Sequence, residues 1–203
     1  MRMKCAYGRS ITGRALAALL PIAMLPGAAL AQTLSGAEVE GQLFAPEQAE
    51  VVIYDTSVLS AENQAIVTQI AQGQKYYAAM ALAPDHGLLH QATVLAANYH
   101  DVAAARAAAL RECDSLRESD TPCLIVLEVR PAGWTARDLQ LNADATAAFT
   151  RDYLPARAPK AMALSPATGQ WAIGQGAAAL DDARAACADA AAPAGDCAVR
   201  IAD

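Results

Sequence analysis

The chain has 203 residues, of which 55% are hydrophobic and 18% are charged, with 15 basic and 21 acidic side chains. Four of the basic residues precede position 15, so the rest of the chain holds 11 basic and 21 acidic residues, a formal net charge of −10. A surface of that sign repels phosphate backbones and anionic lipid headgroups. We therefore expect neither a nucleic-acid partner nor a membrane-surface partner.

Residues 1–31 have the pattern of a secretory signal peptide. A basic start is followed by an apolar run at 15–25 and by an Ala-Leu-Ala cleavage motif that ends before Gln32. The run is shorter than the roughly 20 residues that span a bilayer, and Cys5 lies ahead of it, so we expect neither an anchor nor a lipid attachment. The mature chain is predicted to be periplasmic or secreted, with no membrane span after cleavage.

The start of the mature chain predicts a strand and a helix. Residues 32–49 are polar and mixed in composition, and we interpret them as a flexible lead-in. The β-branched residues at 50–54 predict the first strand. Ser60 is a suitable N-cap for a helix that ends near Gly73.

A hairpin, a second helix and a long apolar strand follow. Residues 76–83 predict one strand, the next four residues, Pro-Asp-His-Gly, predict a turn, and another strand is expected within 89–99. Asp101 is a suitable N-cap for an alanine-rich helix in which Cys113 lies on the apolar face. The almost wholly apolar segment 123–129 predicts a central strand.

The sequence contains an internal duplication. The motif A-M-A-L occurs at 79–82 and again at 161–164, 82 positions later, and a shift of 74 positions superimposes one pair of cysteines on another. The two copies are predicted to span 50–131 and 132–203. Each copy follows the order β-α-β-β-α-β, although the opening strand of the second copy, near 134–141, has a weak strand pattern.

We therefore predict an α+β fold in which antiparallel strands are covered by alanine-rich helices. The order of elements within each copy suits a ferredoxin-like sheet. The alternative is one continuous sheet that both copies share.

The four cysteines of the mature chain form two pairs with the same ten-residue separation, Cys113 with Cys123 and Cys187 with Cys197. Structural zinc sites usually contain two cysteines only a few residues apart, and this spacing does not supply them. An even number of cysteines in an exported chain favours disulfides. We predict one disulfide in each copy, with other pairings and a metal site as the alternatives.

The remaining candidate site residues are histidines and aromatic residues. His86, His90 and His100 occur only in the first copy, where they are a candidate metal or acid/base cluster; exposed hairpin positions are the alternative. The aromatic candidates for lining a cleft between the copies are Tyr76, Tyr77, Tyr99 and Trp171. We expect no cofactor, because the glycine-rich turn at 174–176 follows a hairpin instead of lying within a parallel βαβ unit.

The second copy resembles a known family. The sequence A-M-A-L-S-P-A-T-G-Q-W at 161–171, an alanine-rich helix with Cys187, and Gly-Asp-Cys at 195–197 are similar to the bacterial secreted domain of unknown function 4189. The match covers 160–203 well and 75–129 more loosely. The whole chain also resembles small exported bacterial proteins labelled 5-aminolevulinate synthase, but it lacks the length and the phosphate-binding pocket of a pyridoxal-phosphate enzyme. The resemblance therefore implies a fold and a compartment, and no chemistry.

We expect an exported, non-catalytic protein that binds a protein or small-molecule partner in the cell envelope. The alternatives are a small envelope enzyme and a small-molecule binder, each with its site between the two copies. A pocket with converging ionisable groups would favour the enzyme, an apolar pocket the binder, and a closed interface an interaction protein.

Overall fold

The computed structural model describes residues 32–54 and 57–203. The predicted signal peptide, residues 1–31, lies outside the described residues. Among the helices of the described part, none is both long enough and apolar enough to cross a membrane.

Five helices and seven strands make up the described part of the chain. The helices are α1 (Gly36–Glu40), α2 (Ala61–Gln72), α3 (Val102–Leu116), α4 (Ala143–Ala148), which continues as a π-helical turn (Phe149–Tyr153), and α5 (Ala179–Ala191). The strands are β1 (Ala49–Ile53), β2 (Ala78–Leu82), β3 (Val94–Ala96), β4 (Leu124–Pro131), β5 (Lys160–Leu164), β6 (Trp171–Gln175) and β7 (Ala198–Ala202). They form a four-stranded sheet in the order β1-β4-β2-β3 and a three-stranded sheet in the order β6-β5-β7.

The alternation of small and large residues in A-M-A-L explains how each sheet is covered. Side chains alternate between the two faces of a strand, so the alanines of β2 pack against α3 and those of β5 pack against α5. The absence of bulky side chains on this face lets an alanine-rich helix approach the sheet closely. The methionine and leucine of each motif lie on the opposite face, where they join the larger side chains of the two main cores.

The α+β class and both predicted N-caps are confirmed. The Ser60 side chain accepts a hydrogen bond from the Asn63 N–H, and the Asp101 side chain accepts one from the Ala104 N–H. The ferredoxin-like prediction is wrong because of the strand order: a ferredoxin-like sheet has its third strand between the first and the second, whereas here β4 lies between β1 and β2. The single continuous sheet is also wrong, because the strands divide into two sheets.

The predicted opening strand of the second copy is absent. Residues 134–141 form irregular backbone, as expected from a segment with only one β-branched residue. Leu34 pairs with β7 instead, and its N–H donates to the Arg200 carbonyl at 2.9 Å. Helix α1 follows and buries Val39 completely. Residues 32–49, interpreted above as a flexible lead-in, thus include a helix and a core side chain.

The structure contains both predicted disulfides. Cys113 of α3 is bonded to Cys123, which directly precedes β4, and Cys187 of α5 is bonded to Cys197, which directly precedes β7. Each disulfide therefore ties the alanine-rich helix of a sheet to the last strand of the same sheet. The bonded sulfurs are not available as thiolate ligands for zinc.

Candidate functional site

A cavity of about 510 Å³ lies at the junction of the two sheets. Its wall is formed by three segments: the end of the first hairpin at 97–98, one face of α4 and its π-helical turn within 144–151, and the second hairpin at 168–171. We call it the inter-sheet cavity. Its volume is within the range of roughly 300–1,000 Å³ that is usual for ligand pockets.

The two hairpins approach each other closely beside this cavity. Asn98 has a left-handed backbone with φ of 62°, a conformation that asparagine adopts more readily than most residues. Gly169 has φ of 73°, and a Cβ at this position would lie 3.0 Å from Cα of Tyr99 and closer still to the Asn98 carbonyl oxygen. Glycine is therefore required for the two hairpins to meet backbone to backbone.

Asn142 links both hairpins to α4. Its Oδ1 accepts a hydrogen bond from the Ala145 N–H at 2.7 Å, as an N-cap does. Its Nδ2 donates to the carbonyl of Asn98 at 2.6 Å and to the carbonyl of Gly169 at 2.8 Å. One fully buried carboxamide thus positions all three segments of the cavity wall.

His100 is a second buried link between the hairpins. Its Nδ1 accepts from the Asn142 N–H at 3.3 Å, so the proton lies on Nε2, which donates to the Gln170 carbonyl at 3.2 Å. Burial lowers the pKa of His100 to about 4, so the ring is neutral at pH 7. The geometry is that of a structural histidine.

A polar network holds the turn of the second hairpin in position. Thr168 Oγ1 donates to Ser165 Oγ at 2.7 Å, and the Ser165 hydroxyl donates to the Asp196 carboxylate. The Ala167 N–H donates to the same carboxylate at 2.7 Å. Asp196 directly precedes Cys197, so the disulfide also anchors this network. The network gives a physical reason for the co-occurrence of S-P-A-T-G and Gly-Asp-Cys in the sequence.

The charged side chains of the cavity wall are already paired. Asp144 accepts hydrogen bonds from Lys75 Nζ at 2.6 and 2.8 Å and from Asn98 Nδ2 at 2.9 Å. Arg151 donates from Nε to Asp152 at 2.8 Å, and this hydrogen bonding lowers the pKa of Asp152. The Asn98 Oδ1 is buried and has no hydrogen-bond partner among the described residues. A ligand would therefore meet a polar wall whose charges are balanced.

Of the four aromatic candidates, only Trp171 borders the cavity. Tyr76 and Tyr77 are fully buried in the core of the four-stranded sheet, where their hydroxyls donate to a backbone carbonyl at 3.0 Å and to a glutamine carboxamide at 3.1 Å. Burial raises the pKa of both phenols. Tyr99 packs with the residues of α3.

The structure brings together two of the three candidate histidines. The rings of His86 and His90 stack with their centroids 4.2 Å apart. His86 Nε2 accepts from the Glu118 N–H at 3.3 Å, and His90 Nδ1 accepts from the Ala92 N–H at 3.2 Å. Within residues 32–54 and 57–203, no group of three His, Cys, Asp or Glu residues is arranged to hold a metal ion.

Sequence patterns did not identify Asn98, Asp144 or Arg151 as site residues. An acidic residue in the first turn of a helix, such as Asp144, is usually explained by the helix dipole. Asn98 precedes a helix cap by three residues and carries no periodic signal. The one available signal for Asn98 was its residue type, because asparagine tolerates the left-handed backbone found where a chain turns sharply.

The chain was compared with protein-family models, curated proteins and solved structures, and none of them matches it. The resemblance to the secreted domain 4189 and to the proteins labelled 5-aminolevulinate synthase therefore stays a prediction from the sequence.

Proposed function

We propose that this chain is an exported, non-catalytic protein of the cell envelope that binds a small polar molecule in the inter-sheet cavity. The observation that carries the proposal is a cavity of about 510 Å³ whose wall is formed jointly by both hairpins and α4. Ligand sites typically lie where structural units meet and have comparable volumes. The buried links through Asn142 and His100 keep this wall assembled before a ligand arrives.

The chemistry of the wall favours an uncharged ligand. Asp144 is paired with Lys75, and Arg151 is paired with Asp152, so none of these groups requires a counter-ion from a ligand. Trp171 offers an aromatic surface for the apolar face of a ligand, and carboxamide and hydroxyl groups offer hydrogen bonds. A hydroxyl-bearing molecule of monosaccharide size matches this combination.

An enzyme with its active site in the same cavity is the second candidate. Asp144 and Arg151 are two ionisable groups in one pocket, which is the observation in its favour. Their ion pairs weigh against it, because a general base needs a carboxylate that is free to reach the substrate. Binding without catalysis is therefore the preferred function.

We also infer that the two sheets descend from a tandem duplication of one unit. In both sheets the A-M-A-L strand lies between its hairpin partner and the last strand, and the pairing register shifts after its methionine. In both, a disulfide with a ten-residue separation joins the helix to the last strand. A site between the copies is then a property of the duplicated chain, because each copy supplies only part of the wall.

Export is supported by the leader pattern of residues 1–31 and by the two disulfides, which are typical of oxidising compartments. Fractionation of cells that express the full chain tests this location. We expect the disulfide-bonded chain without residues 1–31 in the periplasm or the medium. Retention of the full-length chain in the cytoplasm would contradict export.

The binding proposal is tested by titrating the exported chain with glucose and N-acetylglucosamine while recording the indole N–H signal of Trp171 by NMR. We expect a saturable shift with at least one of the two sugars. Gln170→Trp should abolish the shift, because the exposed Gln170 borders the cavity and a larger ring there would fill it. Gln175→Trp, at the exposed end of β6, is the matched control. No saturable shift with either sugar, or equal loss in both variants, would contradict the proposal.

A further inference from the structure

A second cavity, of about 130 Å³, is bordered by Arg137 and Arg200. It shares no lining residue with the inter-sheet cavity. At roughly 30 Å³ for each water molecule, its volume corresponds to about four waters. This is enough room for a small polyatomic ion.

Arg200 of β7 has no counter-ion in the part of the chain that the structure describes. It is partly buried, it forms no ion pair with a described carboxylate, and its buried Nε has no described hydrogen-bond partner. Burying a guanidinium group is costly unless an acceptor of opposite charge compensates it. Arg200 therefore lacks an ion-pair partner among the described residues.

Arg137 is also without a carboxylate partner among the described residues. Its guanidinium lies over the Phe44 ring, 3.7 Å from the centroid, and donates to the Gln42 carbonyl. These contacts hold the group in position without neutralising its charge. Two arginines without carboxylate partners at one small cavity form the kind of site that recognises planar or tetrahedral oxyanions.

We propose that this cavity binds a small oxyanion, such as phosphate or a short carboxylate, between Arg137 and Arg200. Two acidic residues also border the cavity. Asp101 is engaged as the N-cap of α3, where it accepts from the Ala104 N–H at 2.7 Å, and Asp138 is exposed to solvent. Solvent screens the Asp138 carboxylate, so this residue does not neutralise the guanidinium groups of Arg137 and Arg200. The two cavities share no lining residue, although His100, which borders this cavity, also links the hairpins beside the inter-sheet cavity.

The test uses the exported, disulfide-bonded chain labelled with 15N arginine. Sodium phosphate and sodium acetate are titrated separately, with sodium chloride keeping the ionic strength constant, while the Nε–H signals are recorded by NMR. We expect the Arg200 signal to shift and saturate with phosphate or acetate, with one ion bound for each chain. Arg200→Gln should weaken binding at least tenfold, and Arg200→Lys should restore part of it. Arg157→Gln, at an exposed position outside the cavity, should leave binding unchanged.

The proposal is overturned if neither anion shifts the Arg200 signal beyond the effect of chloride. It is also overturned if Arg157→Gln weakens binding as much as Arg200→Gln does, because the ions would then respond only to general surface charge. If Arg200→Gln does not fold, Arg137→Gln and the titration of the unsubstituted chain decide the question. Glucose binding in the inter-sheet cavity is measured on the same samples, so that the two proposals succeed or fail separately.

Discussion

The two sheets follow a similar plan but differ in the charged group that each one buries. In the four-stranded sheet, the Glu128 carboxylate of β4 is fully buried and accepts hydrogen bonds from Arg106 of α3 at 2.8 Å and from Arg130 Nε at 2.6 Å. A shift of 74 positions relates Arg106 to Leu180 and Glu128 to Ala202. The corresponding positions of the three-stranded sheet thus carry no charge.

The three-stranded sheet buries a cation at its end instead. Lys160, the first residue of β5, donates from Nζ to the carbonyls of Tyr153 and Leu154 at 3.1 Å and lies 3.6 Å from the Asp203 carboxylate. These carbonyls are at the end of the π-helical turn, where helices leave acceptors unsatisfied. The same backbone arrangement thus accommodates different buried charges, provided that each charge has partners nearby.

The largest difference between the sheets is expected from Glu128→Gln. The substitution removes the charge that compensates two guanidinium groups, and it should lower the free energy of unfolding by about 3 to 5 kcal/mol. Urea unfolding of the oxidised chain, followed by circular dichroism, measures this loss. Glu112→Gln is the matched control, because Glu112 is exposed on α3 and its substitution should change stability by less than about 0.5 kcal/mol.

The same comparison predicts a partial rescue. Arg106→Leu combined with Glu128→Ala introduces the pair found in the three-stranded sheet. The double variant should be more stable than Glu128→Ala, because it leaves one guanidinium group of this network without its carboxylate partner instead of two. Equal stability of the single and double variants would show that Arg106 is not an effective counter-ion of Glu128.

The stability of the folded chain should depend on pH through His100, which lies at the junction of the two sheets. The folded chain keeps this ring neutral down to about pH 4, whereas the ordinary histidine pKa is 6.5. The contribution of His100 to stability is therefore complete above pH 6.5 and is lost as the pH falls toward 4. The full effect corresponds to about 3 kcal/mol, of which about 2 kcal/mol should be lost by pH 5.

Urea unfolding at pH 7 and pH 5 measures this effect. His100→Gln should reduce the difference in stability between the two pH values, whereas His86→Gln, in a half-exposed turn, should preserve it. An unchanged pH dependence in His100→Gln would mean that another group is responsible.

The two disulfides should contribute equally. Each closes a loop with a sequence separation of 10, for which the loss of chain entropy predicts about 2 to 3 kcal/mol. Replacing Cys113 and Cys123 by serine, or Cys187 and Cys197, should therefore lower the free energy of unfolding by similar amounts in urea. A difference of more than about 1 kcal/mol would indicate that native contacts, and not loop length, dominate one of the two effects.

Local chemistry explains which parts of this fold were predictable from the sequence. The caps at Ser60 and Asp101 act over three residues, and the disulfides follow from spacing and compartment, so patterns in the sequence reveal them. The insertion of β4 between β1 and β2 depends on pairing between distant segments, for which the sequence contains no local signal.

The candidate site was less predictable for the same reason. Of the aromatic residues expected to line a cleft between the copies, Trp171 borders the cavity. Tyr76 and Tyr77 lie in the core, where their hydroxyl partners are 32 and 63 residues away in the chain, and the sequence contains no local signal for such contacts. The contact between Asn98 and Asp144 spans 46 residues and becomes visible only when the hairpins meet.

The two hairpin turns should also differ in how well they tolerate a side chain. Gly87 and Gly169 are related by the shift of 82 positions and have φ of 74° and 73°. A Cβ at Gly87 meets no atom within 4 Å, whereas a Cβ at Gly169 meets the backbone of Asn98 and Tyr99. Alanine at either position should cost about 1 to 2 kcal/mol for the left-handed conformation. Gly169→Ala should cost about 1 to 3 kcal/mol more, because the hairpins must separate.

The close approach of the hairpins at Gly169 is tested by measuring stability and sugar binding on both glycine variants. The separation of the hairpins in Gly169→Ala displaces part of the cavity wall, so this variant should also lose affinity for the sugar that binds the unsubstituted chain. Gly87 borders no part of the inter-sheet cavity, and Gly87→Ala should keep that affinity. Equal losses of stability in the two variants would contradict the close approach of the hairpins, on which the shared wall of the cavity depends.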